Sequence, residues 1–139
     1  MNPPSEISSA KTVALVGNPN CGKTTLFNAL TGSRYKVANY PGVTVEKREG
    51  SLKLKDGSCI RLLDLPGTYA LEGSSIDEKI VTSVLQGSLP GVPRPDLIVA
   101  VVDATNLERN LFLVSELIDE GFKIVLAVNM IDEIGRAHV

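Results

Sequence analysis

The chain has 139 residues, 43% of them hydrophobic and 22% charged, which is typical of one globular domain with a buried core. Its formal net charge of −2 gives no electrostatic reason to expect nucleic acid or an anionic membrane surface as a partner. Two distant cysteines and one histidine match no zinc or disulfide spacing, which favours the reducing cytosol, and no apolar run approaches the ~18–20 residues of a membrane span.

The first half of the chain predicts a strand, a helix and a hairpin. Residues 1–11 are polar and are expected to form a disordered tail before a domain at residues 12–139. Residues 12–16 predict a buried strand, and residues 24–30 predict a helix that Gly32 ends. The remaining predictions are a loop at 33–44, an edge strand at 45–54, a turn at Asp56-Gly57 and a strand at 59–63, with Cys59 in the core.

The second half continues the alternation of helices and strands. Ser75 and Glu78 form a capping-box pattern, and a helix should follow from the spacing of Ile76, Ile80, Val81, Val84 and Leu85. A connector at 87–96 leads to an apolar strand at 97–102; then come a helix with Leu107, Leu111, Val114 and Ile118 on one face, its end at Gly121, and a strand at 124–128. This order predicts an α/β fold, with a largely parallel sheet between helices on both faces and ligands at the carboxyl ends of the strands.

Residues 17–25, GNPNCGKTT, contain the phosphate-loop pattern G-x-x-x-x-G-K-[ST]. Gly17 and Gly22 allow the backbone to curl around a phosphate, Lys23 can reach the outer phosphates, and the Thr24 hydroxyl can bind Mg²⁺. We assign the whole stretch to nucleotide binding, which also includes Asn18, Pro19, Asn20, Cys21 and Thr25. The alternative is a chance match in a glycine-bearing turn.

Two later stretches fit the same chemistry. Asp64 opens DLPG just past a strand end, where an aspartate can hold a water of the Mg²⁺ shell, and Gly67 can offer its N–H to a γ-phosphate. Thr44 ends PGVT, and a threonine in a mobile loop can complete the Mg²⁺ shell only while the γ-phosphate is present. The plainer interpretations are a common turn for DLPG and a strand start for Thr44.

Asn129, Met130 and Asp132 belong to NMID, which follows the last apolar strand. The Asp132 carboxylate can accept both N–H donors of the guanine edge, which adenine does not supply, so the pattern favours GTP. Met130 stands where related patterns have lysine, and its flexible side chain can also lie along the base. The alternative makes Asn129 a helix cap and Asp132 an acid of the first turn.

Together these motifs resemble the TRAFAC-class P-loop GTPases, with a small-GTPase-like fold. The stretches YPGVTVEKREG, DLPGTYAL, SIDEKI and VVDATNLERNLFL more closely resemble the N-terminal G domain of the FeoB-type ferrous iron transporters. The resemblance runs from about Val13 to Asp132. It implies GTP, GDP and Mg²⁺ as ligands and a slow GTPase switch in the cytoplasm, attached to a helical domain and a channel in the bacterial inner membrane. It supplies no nucleic-acid partner.

The resemblance also bears on catalysis. Ras-type GTPases have a glutamine just after D-x-x-G, where this chain has Thr68, and Arg48 and Arg61 lie in strand patterns. An asparagine at the position of Asn20 helps similar GTPases hold K⁺, so Asn20, Lys23, Thr44 and Gly67 are the implied catalytic residues. The other interpretation of Asn20 is a residue that tolerates a left-handed turn.

The resemblance further implies that the chain is truncated, without the last strand and helix of the G domain. We therefore expect weaker nucleotide binding and a tendency to self-associate through an exposed sheet edge. Two alternatives to a GTPase remain open: a guanine-nucleotide-binding module without turnover, and a GTPase of ribosome assembly or tRNA modification. The near-neutral charge and the DATNLERNL stretch argue against the second.

Overall fold

The structure is a computed structural model, and it describes residues 11–129. The strands are β1 (Lys11–Gly17), β2 (Tyr35–Asn39), β3 (Glu46–Lys53), β4 (Cys59–Asp64), β5 (Leu97–Asp103) and β6 (Ile124–Asn129). The helices are α1 (Lys23–Thr31), α2 (Ile76–Gln86) and α3 (Leu107–Asp119), with a 3₁₀ turn at Ala104–Asn106 before α3. Within this part of the chain no helix has the length and apolar composition needed to cross a bilayer.

The six described strands form one mixed sheet in the order β2-β3-β4-β1-β5-β6. Strand β1 pairs in parallel with both β4 and β5, and β5 pairs in parallel with β6. The β2–β3 and β3–β4 pairs are antiparallel, as expected for strands joined by short connections. The predicted largely parallel α/β fold is confirmed, and the polar motifs lie at the carboxyl ends of its central strands.

Helices cover both faces of this sheet, and they therefore bury β1 on both sides. Val13 and Leu15 point to one face, where they pack with Phe27 of α1. Ala14 and Val16 point to the other face, where they pack with side chains of α2 and α3. This two-residue alternation is the normal geometry of a strand, and it explains why the β1 sequence is apolar throughout.

Several local predictions are confirmed. Helix α1 ends at Gly32, whose φ of 63° is left-handed, as is common after the last turn of a helix. Helix α2 begins with the predicted capping box, in which the Ser75 hydroxyl accepts from the Glu78 N–H and the Glu78 carboxylate accepts from the Ser75 N–H. The turn at Asp56-Gly57 is also present, with Gly57 at a φ of 89°.

The predicted loop at residues 33–44 is wrong, because it contains strand β2. This strand lies at the edge of the sheet, and four of its five residues are exposed. It therefore lacks the apolar alternation that marks a half-buried strand. The segment predicted as the edge strand is β3, which lies between β2 and β4. Its sequence is polar because its side chains are half-buried or exposed on both faces of the sheet.

The predicted buried face of α3 is also partly wrong. Leu107, Leu111 and Ile118 are exposed, whereas Asn110, Leu113, Val114 and Leu117 are buried. The buried Asn110 explains the difference, since its Oδ1 accepts from the Asp103 N–H at 3.0 Å and its Nδ2 donates to the Asn106 carbonyl at 2.8 Å. A polar residue that satisfies the strand end thus belongs to the buried face, which pattern reading assigns to apolar residues.

Two further side-chain environments bear on the predictions. Cys59 is exposed and not in the core, because it opens β4 beside the hairpin turn and pairs in register with Lys53. Strand β6 is the last described strand of the sheet, and Val125, Leu126 and Val128 are about half exposed. Self-association through this edge stays a prediction.

Candidate functional site

The loop between β1 and α1 has the backbone shape that a phosphate-binding loop requires. Asn20 has a φ of 65° and Gly22 a φ of 93°, so the chain curls through two left-handed residues before α1 begins at Lys23. No side chain caps this helix end. The first N–H groups of α1 are therefore not satisfied by a capping side chain, and together with the helix dipole they form a suitable anion site.

Close packing explains two of the glycines in the loop. A Cβ on Gly17 would lie 2.5 Å from the Cys21 sulfur and 2.8 Å from the Val101 carbonyl oxygen. A Cβ on Gly22 would lie 1.6 Å from Nδ2 of Asn129, at the end of β6. Both positions therefore require a residue without a side chain, independently of any ligand.

Lys23 and Asp64 form a buried ion pair at the centre of the candidate site. The Lys23 ammonium donates to the Asp64 carboxylate, and both residues are less than 10% exposed. The pair joins the start of α1 to the end of β4. A buried charge without a partner is costly, so each residue depends on the other in the absence of a ligand.

Five of the predicted phosphate and metal residues line one open cleft of about 440 Å³. These residues are Lys23, Thr24, Thr44, Asp64 and Gly67. They come from α1, the loop before β3, the end of β4 and the loop after it, which lie far apart in sequence. The structure thus brings together the residues that the sequence assigned to the outer phosphates and Mg²⁺.

The sequence did not place Arg48 and Glu46 in this cleft, although both line it. Arg48 lies directly opposite Asp64 in the β3–β4 register, and its guanidinium contacts the Glu46 carboxylate at 3.2 Å. No sequence signal reveals this, because it depends on how β3 pairs with β4. Arg48 and Glu46 therefore add an ion pair, and no net charge, to the lining of the cleft.

Asn18 and Thr68 connect the phosphate loop to the loop after β4. The Asn18 side-chain amide donates to the Thr68 carbonyl at 2.8 Å, and the Thr68 N–H donates to the Gly17 carbonyl at 3.0 Å. The Thr68 hydroxyl donates to the Ala70 carbonyl at 2.6 Å. Thr68 is thus a buried structural residue, and its hydroxyl is already engaged at the position where Ras-type proteins have glutamine.

Asn129 also lies against the phosphate loop. Its side-chain amide donates to the Cys21 carbonyl at 3.1 Å and ties the end of β6 to the loop. Met130 and Asp132, predicted to contact the base, lie outside the described residues. The predicted guanine site is therefore described only at Asn129, which has a structural bond that the sequence did not anticipate.

The other loop residues divide by exposure. Pro19, Asn20, Thr24 and Thr25 are exposed, so their side chains are accessible from solvent. Cys21 is buried, and burial raises the pKa of its thiol, with hydrogen bonding and the charge of Lys23 acting in the opposite direction. This agrees with a small packing residue rather than a reactive thiolate. Asn20 is not among the residues that line the cleft, and its K⁺ role stays a prediction.

Comparisons with known proteins give consistent results. The family model described as ferrous iron transport protein B matches residues 11–139. The Fe(2+) transporter FeoB of Escherichia coli strain K12 is 48% identical over 126 residues, which cover 87% of this chain and 15% of that protein. The Salmonella typhimurium strain LT2 transporter gives the same identity and coverage. The chain thus spans about 15% of the length of these relatives.

Solved structures agree with this assignment. The G domain of the T. maritima FeoB iron transporter has a TM-score of 0.81 and 49% identity, covering 91% of this chain and 76% of that one. A GDP-bound variant of the S. thermophilus FeoB G domain has a TM-score of 0.80 and 45% identity, covering 91% and 46%. With the phosphate-loop geometry and the family match, this chain belongs to the ferrous iron transport protein B family, and it has the fold of that family's N-terminal G domain.

Proposed function

We propose that the chain binds guanine nucleotide and hydrolyses GTP slowly, as the switch domain of a ferrous iron transporter. One observation carries the proposal: Lys23, Thr24, Thr44, Asp64 and Gly67 meet in a single cleft beside the uncapped start of α1. These are the groups that phosphoryl transfer needs for positioning and charge stabilisation. The GDP-bound form of the similar S. thermophilus domain supports the choice of nucleotide.

The cleft also suits Mg²⁺. Two hydroxyls, from Thr24 and Thr44, and the Asp64 carboxylate supply the oxygen ligands that this cation prefers, with Asp64 acting through a water. When bound with nucleotide, Mg²⁺ neutralises charge on the outer phosphates. Lys23 would then serve the phosphates, while Gly67 would offer its backbone N–H to the γ-phosphate.

For the base, we propose Asn129, Met130 and Asp132, in agreement with the sequence pattern. Asn129 already holds the phosphate loop through the Cys21 carbonyl, so the base and phosphate regions are linked by one side chain. Asp132 would accept the two guanine N–H donors, and Met130 would lie along the base. The backbone N–H groups of residues 17–25 would cradle the phosphates.

Hydrolysis requires a positive charge near the bridging oxygen, and Thr68 does not supply a water-positioning side chain. We propose that Asn20 helps to hold K⁺ for this purpose. Its exposed position and left-handed backbone leave the amide free to face a ligand, although a left-handed turn alone also explains an asparagine here.

Phosphate release from GTP and from ATP, each in KCl and in NaCl at equal ionic strength, tests the function and the cation together. We expect release from GTP only, and faster release in KCl. Asn20→Gly keeps the left-handed turn but removes the amide, so it should lose the KCl advantage while GDP affinity changes little. Asn20→Ala should lose it too and also strain the loop. A KCl advantage that survives in Asn20→Gly would remove Asn20 from the ion site, and equal release from ATP would contradict the base assignment.

Thr44→Ala should weaken binding of a non-hydrolysable GTP analogue and leave GDP binding nearly unchanged. The reason is that Thr44 lies in the loop before β3 and would reach the metal only when a γ-phosphate holds that loop. Calorimetry with both nucleotides makes the GDP titration an internal control for folding. Equal losses for the two nucleotides would argue against a switch role.

A guanine-nucleotide-binding module without turnover is the second candidate. The Thr68 hydroxyl favours this candidate, because it already donates to the Ala70 carbonyl and does not orient an attacking water. Calorimetric binding of GDP without phosphate release in KCl would support this candidate over the GTPase. Family membership argues against the ribosome-assembly or tRNA-modification alternative.

The rest of the parent protein is also a proposal. We propose a helical domain and a membrane channel as its other parts, with this domain in the cytoplasm beside the bacterial inner membrane. We also retain the proposed boundaries, a tail at residues 1–11 and a G domain at residues 12–139. Strand β1 begins at Lys11, one residue before the proposed domain start.

A further inference from the structure

Positive charge is concentrated in one part of the sheet. Residues 34–61 contain seven of the fourteen lysines and arginines of the chain but only three of its sixteen acidic residues. This segment includes β2, β3 and the start of β4. The net charge of −2 thus conceals a basic region, which the composition of the whole chain cannot show.

Strand register places most of these cations on one face. Lys47 and Lys53 lie on the same face of β3, since residues two apart along a strand point the same way. Lys36 of β2 lies opposite Glu49 of β3, and Arg61 of β4 lies opposite Ser51 of β3, so both cations share that face. With Arg34, which lines the same cleft as Lys36 and Arg61, these cations define the basic face: Arg34, Lys36, Lys47, Lys53 and Arg61.

The basic face has little internal neutralisation. Among the paired residues of β2, β3 and β4, Glu49 is the acidic residue on this face. Its carboxylate lies 3.3 Å from Arg61 Nε and 4.0 Å from Lys47 Nζ. Lys36 and Lys53 are exposed. Strand spacings place the four strand cations within a patch roughly 10 Å by 20 Å. A cleft of about 510 Å³ lies along this patch.

The nucleotide cleft is on the opposite side of the sheet. Asp64 and Arg48 are paired in register and alternate with Arg61 and Lys47, so they point away from the basic face. Helix α1, which carries Lys23, packs on that other side, where its Phe27 lies in one cluster with Leu62 of β4. A partner bound to the basic face would therefore leave the nucleotide cleft accessible.

We propose that the basic face binds the anionic phospholipid headgroups of the membrane in which the parent transporter lies. The membrane location rests on the proposed function, while the charge distribution does not. Three of the five cations are lysines, whose flexible point charges suit mobile headgroups better than a partner of fixed geometry. Basic clusters beside a membrane anchor bind anionic lipid with an affinity that grows with each charge.

Sedimentation of the nucleotide-free 139-residue chain with vesicles tests the proposal. We expect binding to vesicles of phosphatidylglycerol and phosphatidylethanolamine, and much less to phosphatidylcholine alone. The binding should weaken steeply as ionic strength rises, because surface charges are screened beyond a Debye length of about 8 Å at ~0.15 M salt. Binding that ignores lipid charge or salt would overturn the proposal, whatever the nucleotide assays show.

A matched pair of double variants locates the contact. Lys36→Gln with Lys53→Gln should weaken vesicle binding roughly 25-fold, at about five-fold for each charge. Lys79→Gln with Lys123→Gln removes the same charge from exposed positions on α2 and just before β6, and it should have a far smaller effect. Equal losses in the two would overturn the proposal. So would an RNA oligonucleotide that binds more tightly than vesicles of equal charge through Lys36 and Lys53.

Cys59 offers a direct reporter. It is exposed and faces Lys53 in register, whereas Cys21 is buried with a pKa raised by that burial, so a polarity-sensitive thiol dye should label Cys59 selectively. Anionic vesicles should shift the emission of this dye toward that of an apolar medium. If the spectrum stays unchanged at a saturating vesicle concentration, at which the protein sediments with the vesicles, binding occurs elsewhere. That result would overturn the assignment of the face.

Discussion

Gly22→Ala should disable the nucleotide site, with a loss of stability of roughly 2–5 kcal/mol and no measurable GDP binding. A left-handed conformation costs an L-residue about 1–2 kcal/mol, and Gly22 has a φ of 93°. The new Cβ would also collide with the Asn129 amide at 1.6 Å and break its bond to the Cys21 carbonyl, at a cost of about 1–3 kcal/mol for the unpaired groups. Denaturant unfolding and GDP calorimetry measure the two effects.

Gly32→Ala is the matched control. Gly32 follows the other end of α1 with a φ of 63°, but nothing lies within 4 Å of its added Cβ. It should therefore lose only the conformational term, about 1–2 kcal/mol, and keep its GDP affinity. If both variants bind GDP equally, the packing of Gly22 against Asn129 does not support the phosphate loop.

Asp132→Asn should change the base preference from guanine to xanthine. In the proposed base site, the carboxylate would accept two N–H donors from guanine, whereas an amide in its place would present one donor and one acceptor, which fits xanthine. The loss of GTP affinity should be on the order of 2–4 kcal/mol, since polar groups of the base would be left unpaired. Competition between GTP and xanthosine triphosphate measures the change.

Asp119→Asn provides the control for this change, because it removes the same charge from an exposed position at the end of α3. It should leave both affinities unaltered. An Asp132→Asn protein that still prefers guanine would show that another group reads the base, and the family assignment would stand without this contact.

The fold and the central part of the site were predictable because their signals are local. The G-x-x-x-x-G-K-[ST] loop must follow a strand and open a helix, and β1 and α1 do so on either side of it. Apolar runs identified β1, β5 and β6, since strands of a covered parallel sheet are apolar throughout. The chain order of Lys23, Thr44 and Asp64 then placed them at neighbouring strand ends.

The errors have a common cause, which is pairing that the local pattern does not encode. Strand β2 was missed because an exposed edge strand needs no apolar alternation. The buried face of α3 was misplaced because Asn110 satisfies the end of β5, a contact known only once the helix has docked. Arg48 was set aside as a strand residue, yet its register opposite Asp64 directs it to the cleft.

The Lys23–Asp64 pair determines how the site accepts a ligand. Because each charge already neutralises the other inside the protein, the arrival of nucleotide is a replacement of counter-ions and not a simple addition. In the proposed site, the ammonium would exchange a carboxylate for phosphate, and the carboxylate would exchange an ammonium for a hydrated divalent ion. Neither exchange is favourable alone, because each leaves one member of the pair stranded in a poorly solvated position. Mg²⁺ and the triphosphate should therefore bind together as one complex, and Mg²⁺ alone or nucleotide alone should each bind weakly to this cleft.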